Sequence, residues 1–134
     1  MTMERGTDME TIATENFARW NDALRTLDPE TVAAFYTEDT TFLPTLSPEF
    51  KHGTGGAREY FVHFLEKHPM GTVVEETVRP LDEDSYLHSG FYDFEVDDGS
   101  GGRSVAHARF TYLWVRQAGE WKIAHHHSSL LPNA

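Results

Sequence analysis

Apolar positions change their period once along the chain. From Asp8 to Leu27 they fall at Ile12, Phe17, Trp20, Leu24 and Leu27, close to helical spacing. A helix is expected there, with Thr7 or Asp8 as its cap and acidic Glu10 in its first turn. Asp28-Pro29-Glu30 reads as a fresh N-cap with proline at the first helical position, opening a short helix through Phe35 that packs Val32, Phe35 and Tyr36. Thr40 to Leu43 predicts a short strand halted by Pro44. A loop with Pro48, Gly53, Gly55 and Gly56 follows, in which Thr54 can cap another helix. That helix, about Gly55 to Lys67, carries Tyr60, Phe61, Phe64 and Leu65, with Pro69 just beyond its end.

After Gly71 the pattern is that of strands. Thr72 to Arg79 is rich in β-branched residues, and Leu81-Asp82-Glu83-Asp84 is a turn. Tyr86 to Val96 is aromatic-rich and ends at the loop Asp97-Asp98-Gly99-Ser100-Gly101-Gly102. Val105 to Arg116 and Trp121 to Leu130 are joined by Gln117-Ala118-Gly119-Glu120. Four consecutive strands with short links predict an antiparallel meander, with the helices ahead of it. The expected class is α+β, one domain over residues 1–134, with a curved sheet folded over a long N-terminal helix.

Charge narrows the partners. Twenty-two acidic residues against eleven basic ones give a net charge of −11, and no Lys/Arg cluster interrupts that balance. Nucleic acid and anionic membranes are therefore not expected partners. The chain has no run of about 18 apolar residues to span a bilayer. Met1 to Asp8 contains acidic residues and no apolar leader core, so a cytoplasmic location is expected. The absence of cysteine removes disulfides, thiolate nucleophiles and Cys-based zinc sites together.

Candidate chemistry concentrates in His125-His126-His127-Ser128-Ser129. Strict strand alternation puts His125, His127 and Ser129 on one face with Trp121 and Ile123, and His126 and Ser128 on the other with Lys122 and Ala124. Three readings stand. The histidines satisfy hydrogen bonds at a sheet end or subunit contact; or His125 and His127 join a third, unidentified ligand on a metal; or the run is a polar pocket wall with His as proton shuttle and Ser as donor. Thr41-Phe42-Leu43-Pro44-Thr45-Leu46-Ser47 suits either a rigid loop at a cavity mouth or a capped turn. Tyr60 lies in an apolar helix, its hydroxyl in need of a partner. Arg109, in an otherwise apolar strand, is expected to be buried against a carboxylate or an anionic ligand.

The order of elements resembles the cone-shaped nuclear-transport-factor-2-like fold. The ending Gly119 to Ser129 resembles its association-domain branch, named for the hub domain of calcium/calmodulin-dependent protein kinase II. Within that branch, Phe42-Leu43-Pro44-Thr45-Leu46-Ser47, Glu59-Tyr60-Phe61-Val62-His63-Phe64-Leu65 and the His-His-Ser-Ser ending are similar to the iota-class carbonic anhydrases and their bacterial relatives, over about Thr11 to Pro132. The resemblance implies hydration of carbon dioxide to bicarbonate with no metal and no cofactor, in a cavity lined by Thr45, Tyr60 and the His/Ser ending. Position by position it favours His126 and Ser128 as the inward pair. Thr45, Tyr60 and Ser128 would then position substrate, with Arg109 a further candidate contact, and His126 would accept the proton. On that assignment His126→Ala should cut turnover with the fold intact. A homodimer through the outer face of the sheet is expected, as is usual for the family. The alternatives are a SnoaL-like cyclase or isomerase with a larger apolar substrate among Phe91, Tyr92, Phe94, Phe110, Tyr112 and Trp114, and a non-catalytic assembly or small-anion-binding module.

Overall fold

A computed structural model describes residues 3–132. Helix α1, Met3–Leu24, is longer than expected at its start, so Thr7 and Asp8 fall inside it rather than at its cap. Its buried positions, Met9, Ala13, Phe17, Trp20 and Leu24, recur every three or four residues and form the stripe that faces the sheet. Helix α2, Pro29–Ala33, opens as read: Asp28 accepts the Glu30 backbone N–H at 3.1 Å, and proline follows it. Helix α3, Gly53–Phe64, buries Ala57 and Phe61 and runs into a 3-10 turn over Leu65–Lys67. Thr54 is not its cap. The Thr54 hydroxyl donates instead to the Tyr36 and Thr37 carbonyls at 3.1 and 3.0 Å.

The strands are β1, Tyr36–Leu43; β2, Lys51–His52; β3, Met70–Asp82; β4, Ser85–Asp97; β5, Arg103–Gln117; and β6, Glu120–Leu130. The last four form the expected antiparallel meander. The sheet has six strands rather than four, in the order β2-β1-β6-β5-β4-β3, because β1 runs parallel to β6 and carries β2 on its outer edge. Helix α1 crosses the concave face. Asn21 ties it to β3 by exchanging two 2.9 Å hydrogen bonds with the backbone of Gly71.

One irregularity decides what points inward. In β4 and β5 the buried residues are even-numbered: Tyr86, His88, Tyr92 and Phe94, then Ala108, Phe110, Tyr112 and Trp114. In β6 the buried residues are Ile123, His126 and Ser128. The parity changes because Trp114 pairs with Ile123 and Leu113 with His125, leaving Ala124 as an extra residue. Strict alternation from Ile123 would have turned His125 and His127 inward. The bulge turns His126 and Ser128 inward instead, on the same face as Ile123.

Fully buried Thr40 supports this bulge by donating its hydroxyl to the Ile123 carbonyl at 2.9 Å. Between the pairs Tyr36–Ile123 and Thr41–His125, β1 advances five residues and β6 two, so β1 swells outward opposite the bulge. Thr40→Val should therefore cost about 1–3 kcal/mol, the effect of stripping a buried carbonyl of its donor, measured by denaturant unfolding. Thr41→Val, on the outer side of the same strand, is the comparison. Equal losses from both would contradict a specific role for the Thr40 hydroxyl.

Candidate active site

Sheet register places Phe42, His126, Tyr112 and His88 side by side across the concave face, one from each of β1, β6, β5 and β4. The His126 imidazole lies between the Phe42 and Tyr112 rings, with centroids at 4.8 and 4.1 Å and planes within 21° of parallel. Both of its nitrogens are engaged at the ring edges. Nδ1 is 2.9 Å from the Tyr36 hydroxyl, and Nε2 is 3.1 Å from the Tyr92 hydroxyl.

Hydrogen bonds continue from both ends of the ring. The Trp20 indole N–H, on α1, donates to the Tyr36 oxygen at 3.2 Å. Tyr92 donates to the Ser128 hydroxyl at 2.6 Å, and Ser128 shares a hydrogen bond with the Thr45 hydroxyl. Tyr60, on α3, donates to the Thr45 carbonyl at 3.1 Å and fixes the turn that carries Thr45. One unbroken relay thus runs Trp20, Tyr36, His126, Tyr92, Ser128, Thr45.

The relay ends at a cavity of about 40 Å³. Its walls are mostly aromatic, from Trp20, Phe42, Phe61, Phe64 and Phe94, with Thr45, Tyr60, Tyr92, His126 and Ser128 as the polar side. Among the described residues that line it there is no Lys, Arg, Asp or Glu. Leu46 stands at the mouth. It lines the cavity and two surface grooves, is 64% exposed, and holds a left-handed backbone at φ 68°.

Burial keeps this polar side uncharged. It raises the pKa of Tyr36, Tyr60 and Tyr92 above the ordinary phenolic value, so each hydroxyl keeps its proton. It also holds His126 well below the usual imidazole range, with His125 and His127 pushing the same way. The polar wall therefore consists of neutral hydroxyls and a neutral imidazole. It can orient a small molecule and donate hydrogen bonds to oxygen atoms that gain charge.

Of the residues singled out in the sequence, Thr45, Tyr60, His126 and Ser128 meet at the cavity. Arg109 does not. It is exposed on the outer face, because its neighbours Ala108 and Phe110 occupy the inward positions of β5. His126 also departs from the role expected of it. With both nitrogens bonded to tyrosines and its basicity depressed, it offers no free lone pair to water. Nor is alanine expected to leave the fold intact there, since that change would empty a fully packed site and take one partner from each of two buried hydroxyls. His125 and His127 lie on the opposite face, with His125 Nδ1 2.6 Å from the Thr41 hydroxyl. No three His, Cys, Asp or Glu residues are grouped to hold a metal ion among the described residues.

Sequence reasoning did not join Trp20 and Tyr36 to the site, and placed Tyr92 only among the aromatics of the alternative, larger-substrate cavity. Each reads as apolar core, and the only available signal was that all three carry a polar tip requiring a partner when buried.

The sequence pattern of the calcium/calmodulin dependent protein kinase II association domain matches residues 10–132. A solved structure from Xanthomonas campestris, described as such an association domain, is 38% identical, covers 91% of this chain and 87% of its own, and superposes with a TM-score of 0.88. Two further structures share the fold at low identity. One, described as a scytalone dehydratase, from Novosphingobium aromaticivorans, is 13% identical over 98% of this chain and 89% of its own, at a TM-score of 0.81. The other, an NTF2-like superfamily protein from Salmonella enterica, is 14% identical over 96% and 94%, at 0.78. No curated protein matches the sequence.

The depressed histidine makes stability acid-sensitive. An unfolded imidazole titrates near 6.5, so below about that pH the unfolded chain binds a proton that folded His126 refuses. Buried His88 is also lowered by desolvation, which outweighs the opposing pull of Glu76. Stability present at neutral pH should fall as the pH drops from about 6.5, by up to about 1.4 kcal/mol per pH unit for each of these histidines. Denaturant unfolding at a series of pH values measures it, and His126→Gln should flatten the slope. An identical slope in that variant would contradict the assignment.

Proposed function

The chain belongs to the calcium/calmodulin-dependent protein kinase II association-domain family, and we propose that this member is an enzyme of the iota carbonic anhydrase type, hydrating carbon dioxide reversibly to bicarbonate without a resident metal. The observation that carries this reading is the size and neutrality of the cavity. A single water needs roughly 10–15 Å³ of such space, so about 40 Å³ holds a molecule of a few heavy atoms. Carbon dioxide is small, linear and uncharged, and aromatic walls suit it.

In the reaction the oxygen of a water molecule bonds to the substrate carbon. One carbon–oxygen π pair moves onto a substrate oxygen, and the water gives up a proton to solvent at the Leu46 mouth. Thr45 supplies the hydroxyl beside the oxygen that gains charge, Ser128 backs it through their shared hydrogen bond, and Tyr60 keeps Thr45 in place. Well-placed donors of this kind are worth roughly 10²–10³-fold each. With no base of raised strength at the carbon, a modest anhydrase is expected. The bicarbonate product is an anion with no cation beside it in a strongly acidic protein, which favours its release.

The alternative reading, a cyclase, isomerase or dehydratase, draws on structural neighbours described as dehydratases and an aromatic ring hydroxylase. Acid–base work on a larger substrate needs a carboxylate or a free imidazole in a roomier chamber. The cavity offers neither among its described lining residues.

Stopped-flow carbon dioxide hydration tests the proposal, with metal content measured on the same sample and the assay repeated after chelation. Activity should survive chelation and fall roughly a hundred- to a thousandfold in Thr45→Val, and less in Ser128→Ala, with the unfolding midpoint recorded alongside. No activity above buffer would overturn it, and activity lost on chelation and restored by one metal would replace it with a metal mechanism.

A homodimer is part of the same proposal. Leu87 and Leu113 pair on the outer face of the sheet, and Phe91 and Val105 are exposed farther along the same face. Burying such a face against a second copy is the simplest closed arrangement. Light scattering should return twice the 15.3 kDa chain mass, and Val105→Glu should shift it toward one. A monomer at micromolar concentration would remove the dimer from the proposal.

A further inference from the structure

The relay has a direction, and its inner end sets it. An indole nitrogen can only donate, so the Tyr36 oxygen must be the acceptor of the Trp20 N–H. Tyr36 has one proton of its own and, among the described residues, one other side-chain partner, Nδ1 of His126 at 2.9 Å. If Nδ1 carried a hydrogen, Tyr36 would accept two bonds and its own proton, in a residue only 2% exposed, would be left without an acceptor. Satisfying every group makes Nδ1 the acceptor, and a neutral imidazole then carries its hydrogen on Nε2. That hydrogen goes to the Tyr92 oxygen at 3.1 Å, the Tyr92 proton to Ser128 at 2.6 Å, and the Ser128 proton to Thr45.

We propose that Tyr36, held by the donor-only indole of Trp20, is the positioning residue that fixes His126 in its Nε2–H tautomer and aims the whole relay outward, so that Thr45 presents a hydrogen to the cavity. The ligand atom that meets Thr45 is therefore an acceptor: an oxygen of carbon dioxide, of bicarbonate or of another small carbonyl or carboxylate compound. This deepens the hydration reading, and its catalytic consequence rests on that reading. A relay aimed outward strengthens as the substrate oxygen gains charge, whereas one aimed inward would present Thr45 with a lone pair and repel it. Passing the water proton inward to His126 would require all these hydroxyls to turn together and leave the Tyr36 proton stranded, which is why the proton leaves by the mouth.

The direction is read without turnover, so its failure and the failure of the anhydrase reading are separable. Long-range proton–nitrogen correlation spectra of the full-length ¹⁵N-labelled protein near neutral pH report the tautomer of each of the eight histidines, and the set missing in His126→Gln belongs to His126. The expected result is a protonated Nε2, a bare Nδ1, and a slowly exchanging Tyr36 hydroxyl proton correlated with Nδ1. A protonated Nδ1, an imidazolium, or a Tyr92 hydroxyl proton correlated with Nε2 would overturn the proposal, whatever the activity. The wild-type spectra decide this even where a variant fails to fold. In Tyr36→Phe, the Nδ1–H form should rise to a measurable share, and hydration should lose kcat, about tenfold, with KM little changed. Retention of the pure Nε2–H form in that variant would remove Tyr36 as the residue that sets it.

Discussion

A single extra residue in the last strand governs what this molecule can do. Ala124 interrupts the alternation of β6, and the strand beyond it presents His126 and Ser128 to the interior instead of His125 and His127. The inward imidazole then falls between Phe42 and Tyr112 and within reach of two tyrosine hydroxyls, and the inward serine falls beside Thr45. Had β6 stayed regular from Ile123, His125 and His127 would have been turned into the core. The bulge is held by side chains from elsewhere, Thr40 at the Ile123 carbonyl and Thr54 at the carbonyls of the swollen stretch of β1. The site therefore depends on β1 as much as on the strand that carries its imidazole.

Polar groups and charge are separated with unusual strictness. Acidic residues dominate the chain, yet the described lining of the cavity holds no ionisable carboxylate and no cation. Each buried polar tip in the relay is matched by another uncharged group, which avoids the large desolvation penalty of a buried ion. The arrangement costs the site reactivity: neutral hydroxyls polarise a bound molecule without tearing a proton from it. It gains fixed geometry, since a connected set of satisfied hydrogen bonds has one orientation and resists thermal rearrangement. The same family architecture can serve other chemistry where a carboxylate replaces one of these groups, so the lining rather than the fold carries the functional meaning.

Much of this was legible in the residues. The helical stripe of α1, the Asp28-Pro29 start of α2 and the four-strand meander follow from long, regular periods and emphatic turn residues. Thr45, Tyr60, His126 and Ser128 were picked out by position in the family resemblance, which chose between two strand faces that the residues alone left open. What escaped was non-local. The parallel pairing of β1 with β6 joins segments some ninety residues apart, and an alanine bulge has no local signature. Arg109 was misplaced for a simpler reason: taken alone it looks buried, but Ala108 and Phe110 on either side claim the inward face. Trp20, Tyr36 and Tyr92 were hidden because aromatic residues satisfy the core pattern whether or not their polar tips matter.

The position of β6 has a consequence for how the molecule comes into being. It is the last of the six strands to leave the ribosome, yet it lies inside the sheet, with β1 on one side and β5 on the other. Until it emerges, β1 with β2 and β3 to β5 are two separate pieces of sheet, each with an open hydrogen-bonding edge facing the other. Such edges invite pairing with the wrong neighbour, so the nascent chain is most vulnerable to aggregation at the moment before β6 inserts. Insertion of that strand closes the sheet and delivers His126 and Ser128 in one event. A product shortened before it would lack both the seam and the site.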